Sequence, residues 1–374
     1  MTIERLLKAM ILMAVVGVFV GAVGLGVLLI VSGGNPISWV QNTFIRFSLS
    51  SRTEEINRAI GTNDTPIRFS INSGDAPALV ARNLVNASLI ADPVLFVNYL
   101  RAEGLDTQLE AGVYFLNQAQ NIPQIANTLI DSRNSSIRFR VVEGTRLEEV
   151  AEAIDAIRLF GFTGAEFLAT TGVGASIDPD LAGLLGVPVV GDTLQASLEG
   201  FMFPDTYVFP PDITALELRD QLLEAFVGAV GVPLFNDATT QGWTMRQAVT
   251  LASIAEREAV WDDEHVLITS VYRNRLDVDM LLQADPTVQY ALNGTRGRWW
   301  TNITQADYRN VTSPYNTYLN KGLPPSPIAS PSLSAIRAAI YPAESSYFYF
   351  RARCDGSNYH NFATTYDEHL ANGC

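Results

Sequence analysis

The chain has 374 residues, 48% of them hydrophobic and 17% charged, and carries a formal net charge of −14. That length accommodates two domains, and the composition is globular with a membrane contribution added. Phosphate binding needs a concentrated basic surface, and no Lys/Arg cluster occurs, so a nucleic-acid partner is excluded.

The first strong signal is Ala9–Val31, 23 residues without a charge. As a helix, such a stretch spans a hydrocarbon core of roughly 30 Å. Arg5 and Lys8 precede it, and no positive charge follows closely. The positive-inside rule then leaves residues 1–8 in the cytoplasm and everything after residue 32 or so outside the cytoplasmic membrane. The rival is a cleaved signal peptide, whose apolar part is usually roughly 7–15 residues. Here the stretch is longer and no small-x-small cleavage site follows, so 9–31 reads as an uncleaved single-pass anchor. Residues 32–64 read as a juxtamembrane stalk of mixed polarity.

An internal repeat comes next. Ile67-Arg-Phe-Ser-Ile-Asn-Ser-Gly74 returns without a gap as Ile137-Arg-Phe-Arg-Val-Val-Glu-Gly144. Each copy opens with apolar residues at alternate positions, the pattern of a half-buried strand, and then reaches a glycine turn and helical spacing. Gly112–Leu116 adds another extended piece, and Ile122–Ile130 a short helix. Residues 65–178 are therefore a small α/β region, and 179–374 a second, mixed α/β domain; the fold class is α+β.

In the second domain Leu216–Val227 is helical, and Thr244 caps a helix from Met245 to about Glu258. Asp285-Pro286 and Gly322–Pro327 break regular structure. Ser332 or Ser334 caps a helix that runs to Ile340, and Tyr347–Arg351 reads as a strand.

The helix ending at Glu258 carries the best candidate for chemistry. Met245, Val249, Ala252, Ser253 and Glu256 share one stripe, apolar until it ends in a carboxyl. A carboxyl partly withdrawn from water holds its proton more tightly and can deliver it to a leaving group. The plainer alternative pairs Glu256 with Arg257 or Arg273 at the helix end. Downstream, Val271–Leu276, Met280–Thr287, Tyr290 and Ser313–Tyr318 mix aromatic rings with amides and acids. Sugar sites use such groups, ring faces against pyranoses and polar groups on hydroxyls.

Cys354 and Cys374 lie in the exported part, where a disulfide can form. His360 and His369 fall between them, but that spacing matches no standard zinc motif.

Several multi-residue segments, in one order, resemble the endolytic murein transglycosylases of the MltG or YceG-like family. They are Leu198–Tyr207, Ala252–Glu258, Asn274–Leu276, Leu282–Thr287, Ser313–Tyr318 with Gly322–Pro325, and His360–Phe362 with Thr364. The likeness spans about residues 65–370. It implies that Glu256, first acid of Glu-Arg-Glu, is the catalytic residue. It also implies a bacterial single-pass membrane protein, LysM-like segments ahead of the catalytic domain, peptidoglycan strands as substrate, and proximity to peptidoglycan synthases. No metal or cofactor is implied. Glu199, Asn274, Gln283, Asp285, Tyr315 and Asn316 are the substrate-contact candidates, with Glu258 a further acid of interest and His360 a structural residue near the last strand. Ala255 and Arg257 depart from the residues expected beside the catalytic acid, and the terminal cysteines are not a family feature. The reaction implied is cleavage of the N-acetylmuramic acid to N-acetylglucosamine β-1,4 bond with 1,6-anhydro ends, which would end strand elongation. Its rivals are a non-catalytic glycan-binding scaffold and a two-carboxylate hydrolase.

Overall fold

The computed structural model describes residues 45–131 and 135–374, and the chain divides into two compact units between Ser135 and Ser136. The apolar stretch Ala9–Val31 lies outside the described residues, among which no helix is long and apolar enough to cross a membrane.

In the first unit β1 (Ile67–Ile71) pairs antiparallel with β2 (Gly112–Leu116), Phe69 opposite Tyr114. Phe69 and Ile71 are buried and Ser70 between them is exposed, as alternate positions on a strand require. Two helices run between the strands, α1 (Pro77–Asn86) and α2 (Pro93–Glu103), and α3 (Ile122–Leu129) follows β2. Pro77 and Pro93 open their helices, where the missing N–H has no helical partner to lose. Asp92 caps α2 by accepting from the Val94 and Leu95 N–H groups at 2.8 and 3.0 Å. Leu84, Phe96, Leu100, Tyr114, Leu116 and Leu129 meet in the core. Two residues of the segment read as stalk join them: Leu49 and Ile56 are buried there, and Arg46 donates to the Ala102 carbonyl at 2.8 Å. The stalk reading missed these two because they stand singly among polar neighbours.

The second unit begins with the second copy of the repeat. β3 (Ile137–Val141) leads through α4 (Leu147–Ile157) and α5 (Gly164–Thr171), and pairs antiparallel with β4 (Asp205–Phe209). The first copy is thus a β–α–α–β arrangement closed by an antiparallel pair, and the second inserts a further helix, Pro179–Leu185, and a short hairpin, Val189–Val190 with Thr193–Leu194, before the strand that closes it. A strand must find a partner for its backbone groups, and β3 finds its own in the Phe-Pro-Asp-Thr-Tyr segment. The division between units therefore falls between the two copies, not near residue 178.

The rest is mostly helical. α6 (Ala215–Thr240) bends at Gly231, two residues before Pro233. α7 (Met245–Glu258) is opened by a capping box, Thr244 accepting from the Gln247 N–H and Gln247 from the Thr244 N–H. From Ala248 to Ala255 every residue of α7 is buried. Around it pack α8 (His265–Asp277), α9 (Asp285–Leu292) and α10 (Leu333–Ile340). Asp285-Pro286 starts α9 instead of breaking the chain, because Pro is tolerated in a first turn. Ser332 caps α10 by accepting from the Ala335 N–H at 3.2 Å. The chain ends in a hairpin of β5 (Tyr349–Ala352) and β6 (His360–Ala363), then α11 (Tyr366–Ala371), with Cys354 bonded to Cys374.

Candidate active site

Glu256 stands in the last turn of the buried helix α7, with its side chain 11% exposed. Its Oε2 accepts two hydrogen bonds from one residue, the Ser332 N–H at 2.9 Å and the Ser332 hydroxyl at 2.6 Å. That hydroxyl is also the cap of α10, so the N-terminus of one helix is locked onto the carboxyl of another. One turn back on α7, Ser253 accepts from the Ile328 N–H at 3.0 Å. Two positions of the predicted stripe therefore clamp the loop from Ile328 to Ser332. Oε2 can accept both bonds whether the carboxyl is charged or protonated. Oε1 has no hydrogen bond among the described residues. His265 Nε2 lies 4.0 Å from Oε2, and its other ring nitrogen is 3.3 Å from the Ser334 hydroxyl.

The glycine turn of the second repeat forms a wall of the site. The Gly144 N–H donates to the Ser330 carbonyl at 2.8 Å, and the Ser330 N–H to Thr145 at 2.7 Å. A Cβ on Gly144, whose φ is +72°, would come within 3.1 Å of Arg257 Nη1. The Arg257 guanidinium reaches the Gly144 carbonyl and lies 3.9 Å over the Trp300 ring. Arg257 is thus turned to that wall, while Arg273 stacks on Trp243; neither forms the ion pair with Glu256 that the plainer reading proposed. Partial burial, then the charges of Glu256 and Asp262, push the Glu143 carboxyl up, which places it within the electrostatic reach of Glu256.

On the far side of the same turn lies Glu199, 1% exposed. It accepts from the Leu147 N–H at the start of α4, from the Gly200 N–H and from the Tyr290 hydroxyl. Burial, reinforced by Glu148, pushes its carboxyl up to about 8. The Tyr290 ring is 4.8 Å from that of Tyr315, whose hydroxyl meets Ser326 at 2.5 Å. Glu199 and Tyr315 therefore belong to one cluster beneath the loop that carries Ser332.

The family model for the YceG-like family matches residues 69–373, most of the chain and both units. This chain belongs to the YceG-like family. A Bacillus subtilis (strain 168) protein named endolytic murein transglycosylase is 29% identical over 310 residues, 82% of this chain and 83% of the relative. A Streptococcus pneumoniae serotype 2 protein of the same name is 28% identical over 303 residues, 76% of this chain but 54% of that relative, so the chain spans about half its length. The crystal structure of a yceG-like protein from Listeria monocytogenes matches with a TM-score of 0.55 at 30% identity, covering 83% of this chain and 99% of the other.

The remaining candidates of this YceG-like chain sit in other surroundings. Asn274 spends its amide on two carbonyls, Ser345 and Tyr347, at 2.9 and 2.8 Å. Asn316 is fully buried and bonds the Tyr308 and Val311 carbonyls. Both amides tie loops together. Asp285 accepts from the Tyr318 hydroxyl at 2.6 Å, beneath the stacked rings of Tyr308 and Tyr318. Gln283 is exposed, at a φ of +53°. Glu258, half-buried, accepts from the Tyr272 hydroxyl at 2.8 Å, and desolvation pushes it up to about 7. His360 is held by Glu264 through both its ring and its backbone N–H.

Ser332, His265, Glu143 and Arg257 complete the surroundings of Glu256 without having been singled out as site residues. Ser332 carried a signal as a helix cap, and Glu143 as part of the repeat. His265 carried none beyond its type.

Proposed function

We propose that this chain is an endolytic murein transglycosylase in which Glu256 is the acid and then the base. The observation that carries this reading is the Glu256 carboxyl itself: sheltered, aimed by two bonds from Ser332 to one oxygen, and unbonded at the other. The family and the named relatives support the same activity. Glu256 as an acid gives its proton to the glycosidic oxygen, and the C1–O bond breaks. The resulting carboxylate then takes the proton of the muramyl C6 hydroxyl as that oxygen bonds to C1, closing a 1,6-anhydro ring. The nucleophile is held on the sugar, which supplies a high effective concentration and needs no bound water.

We further propose the finer features. Ala9–Val31 anchors the chain, with both units outside the bacterial cytoplasmic membrane and near peptidoglycan synthases; the uncharged stretch behind Arg5 and Lys8 supports this. The β–α–α–β plan of β1 to β2 supports a LysM-like glycan-binding role for the first unit.

Glu199 does not suit the second carboxylate of a hydrolase, because it is spent on backbone N–H groups. Glu143, whose carboxyl feels the charge of Glu256, is the other acid at this turn, so the products decide. Mass spectrometry of purified glycan strands digested by the full chain should show 1,6-anhydro ends. Reducing ends would make Glu256 and Glu143 a hydrolytic pair, and intact strands would leave a binding protein. Glu256→Gln should lower the cleavage rate by about 10²–10⁴-fold, the usual contribution of general acid–base catalysis; cleavage at the wild-type rate removes Glu256 from the mechanism.

A further inference from the structure

Beside the Glu256 site, but built from other groups, is a cleft of about 530 Å³ walled by Trp299 and Trp300 and by Glu149, Glu152 and Asn293. Its size falls in the range of small-molecule sites, roughly 300–1,000 Å³. Both indoles are pinned at their N–H groups: Trp299 donates to Glu152 at 3.0 Å and Trp300 to Glu149 at 2.8 Å. Each ring also carries a guanidinium, Arg146 at 4.7 Å from Trp299 and Arg257 at 3.9 Å from Trp300. Neither arginine lines the cleft. The seat of Trp299 depends on Gly294, whose φ is +68° and where a Cβ would come within 2.7 Å of the ring.

We infer that this cleft is a saccharide subsite, which takes an N-acetylglucosamine ring of the strand whose bond Glu256 cleaves; it rests on the reading above. Aromatic rings fixed before binding give stacking surface with little entropy left to lose. The C–H face of a pyranose fits such a surface. Its hydroxyls donate to carboxylates, and Glu149 Oε1 and Glu152 Oε2 have no bond among the described residues. The Asn293 side chain accepts from Arg146 through Oδ1 at 2.9 Å, so its amide N–H groups remain for an acetamido carbonyl. Two carboxylates against one lining guanidinium, Arg298, favour a neutral ring over one whose lactyl group carries an anionic stem peptide. Trp300 meets Arg257, the neighbour of Glu256 in sequence, so the subsite is next to the reacting bond.

The test uses the full chain and chitotetraose, the β-1,4 tetramer of N-acetylglucosamine, followed by tryptophan fluorescence. Glu256→Gln should bind it, and adding Trp299→Ala should weaken binding about tenfold or more, the scale of a lost aromatic anchor. Trp299→Tyr, which keeps a stacking face, should recover most of the affinity. On glycan strands with Glu256 intact, Trp299→Ala should lower kcat/KM mainly by raising KM. Equal affinity with and without Trp299, in proteins of unchanged circular dichroism, overturns the subsite. So does strand cleavage by a protein that shows no affinity for chitotetraose. A wild-type chain that neither binds the tetramer nor cleaves strands overturns the glycan reading itself.

Discussion

The two copies of the repeat begin from the same pattern, with Ile, Arg, Phe and the closing Gly in common, and end in different company. In the first, Gly74 turns in open space, with nothing within 4 Å of where a Cβ would stand. In the second, Gly144 is pressed against Arg257 and bonded to Ser330. Three residues after each glycine a helix starts, at Pro77 in the first copy and Leu147 in the second. Pro77 has no N–H to satisfy, whereas the Leu147 N–H is met by the buried Glu199. One local plan thus serves once as a separate module and once as a wall of the candidate active site. What sets them apart is the partners each turn meets, more than the turn itself.

That contrast can be broken at three points. The far end of the wall is Ser332, whose hydroxyl holds Glu256. A hydrogen bond to a charged group contributes about 1.5–3 kcal/mol, so Ser332→Ala should lower kcat by roughly 10–100-fold, with Ser332→Thr retaining most of the rate. Stability should fall too, by about 1 kcal/mol for the lost cap. Steady-state cleavage and denaturant unfolding read the two effects separately; a large stability loss with full kcat would sink the positioning role.

The middle of the wall is Gly144. Ala at either glycine carries a left-handed strain of roughly 1–2 kcal/mol. Only Gly144→Ala also displaces Arg257, so only it should reduce kcat, by about tenfold as the carboxyl shifts from its best geometry. Gly74→Ala should leave kcat unchanged. Equal kcat values for the two variants would mean that the turns are equivalent after all.

The third point is Glu199, and its effect is a pH dependence. Burial pushes its carboxyl up to about 8 from an ordinary value of 4.5. Between those values the folded state holds a proton that the unfolded chain has released, so this group's contribution to stability falls as pH rises. Glu199→Gln, neutral throughout, should flatten the decline of Tm between about pH 5 and pH 8, at roughly 2–4 °C per kcal/mol. Parallel profiles would show that Glu199 does not titrate in this way.

Much of the local architecture was legible because it depends on neighbours in sequence. The alternation in Ile67–Ile71 and Ile137–Val141, the capping Thr244 and the apolar run to Glu256 each act within a few residues. The substrate-contact candidates were harder to judge, since an Asn can serve a sugar hydroxyl or a loop carbonyl equally well. Asn274 and Asn316 both serve carbonyls, in places no spacing rule could foresee. The Asp285-Pro286 pair read as a break and proved to be a helix start, since proline suits both.

By itself the sequence determined that Glu256 would end a sheltered helix, that two strand–turn–helix copies would form, and which family the chain joins. Tertiary structure alone decided that one copy would close through β4, that Ser332 would cross 76 positions to hold Glu256, and that Arg257 would face Trp300. Periodicity and caps report forces that act over a turn or two of chain. A site assembled across such separations depends on how whole helices pack, which no short window of residues encodes.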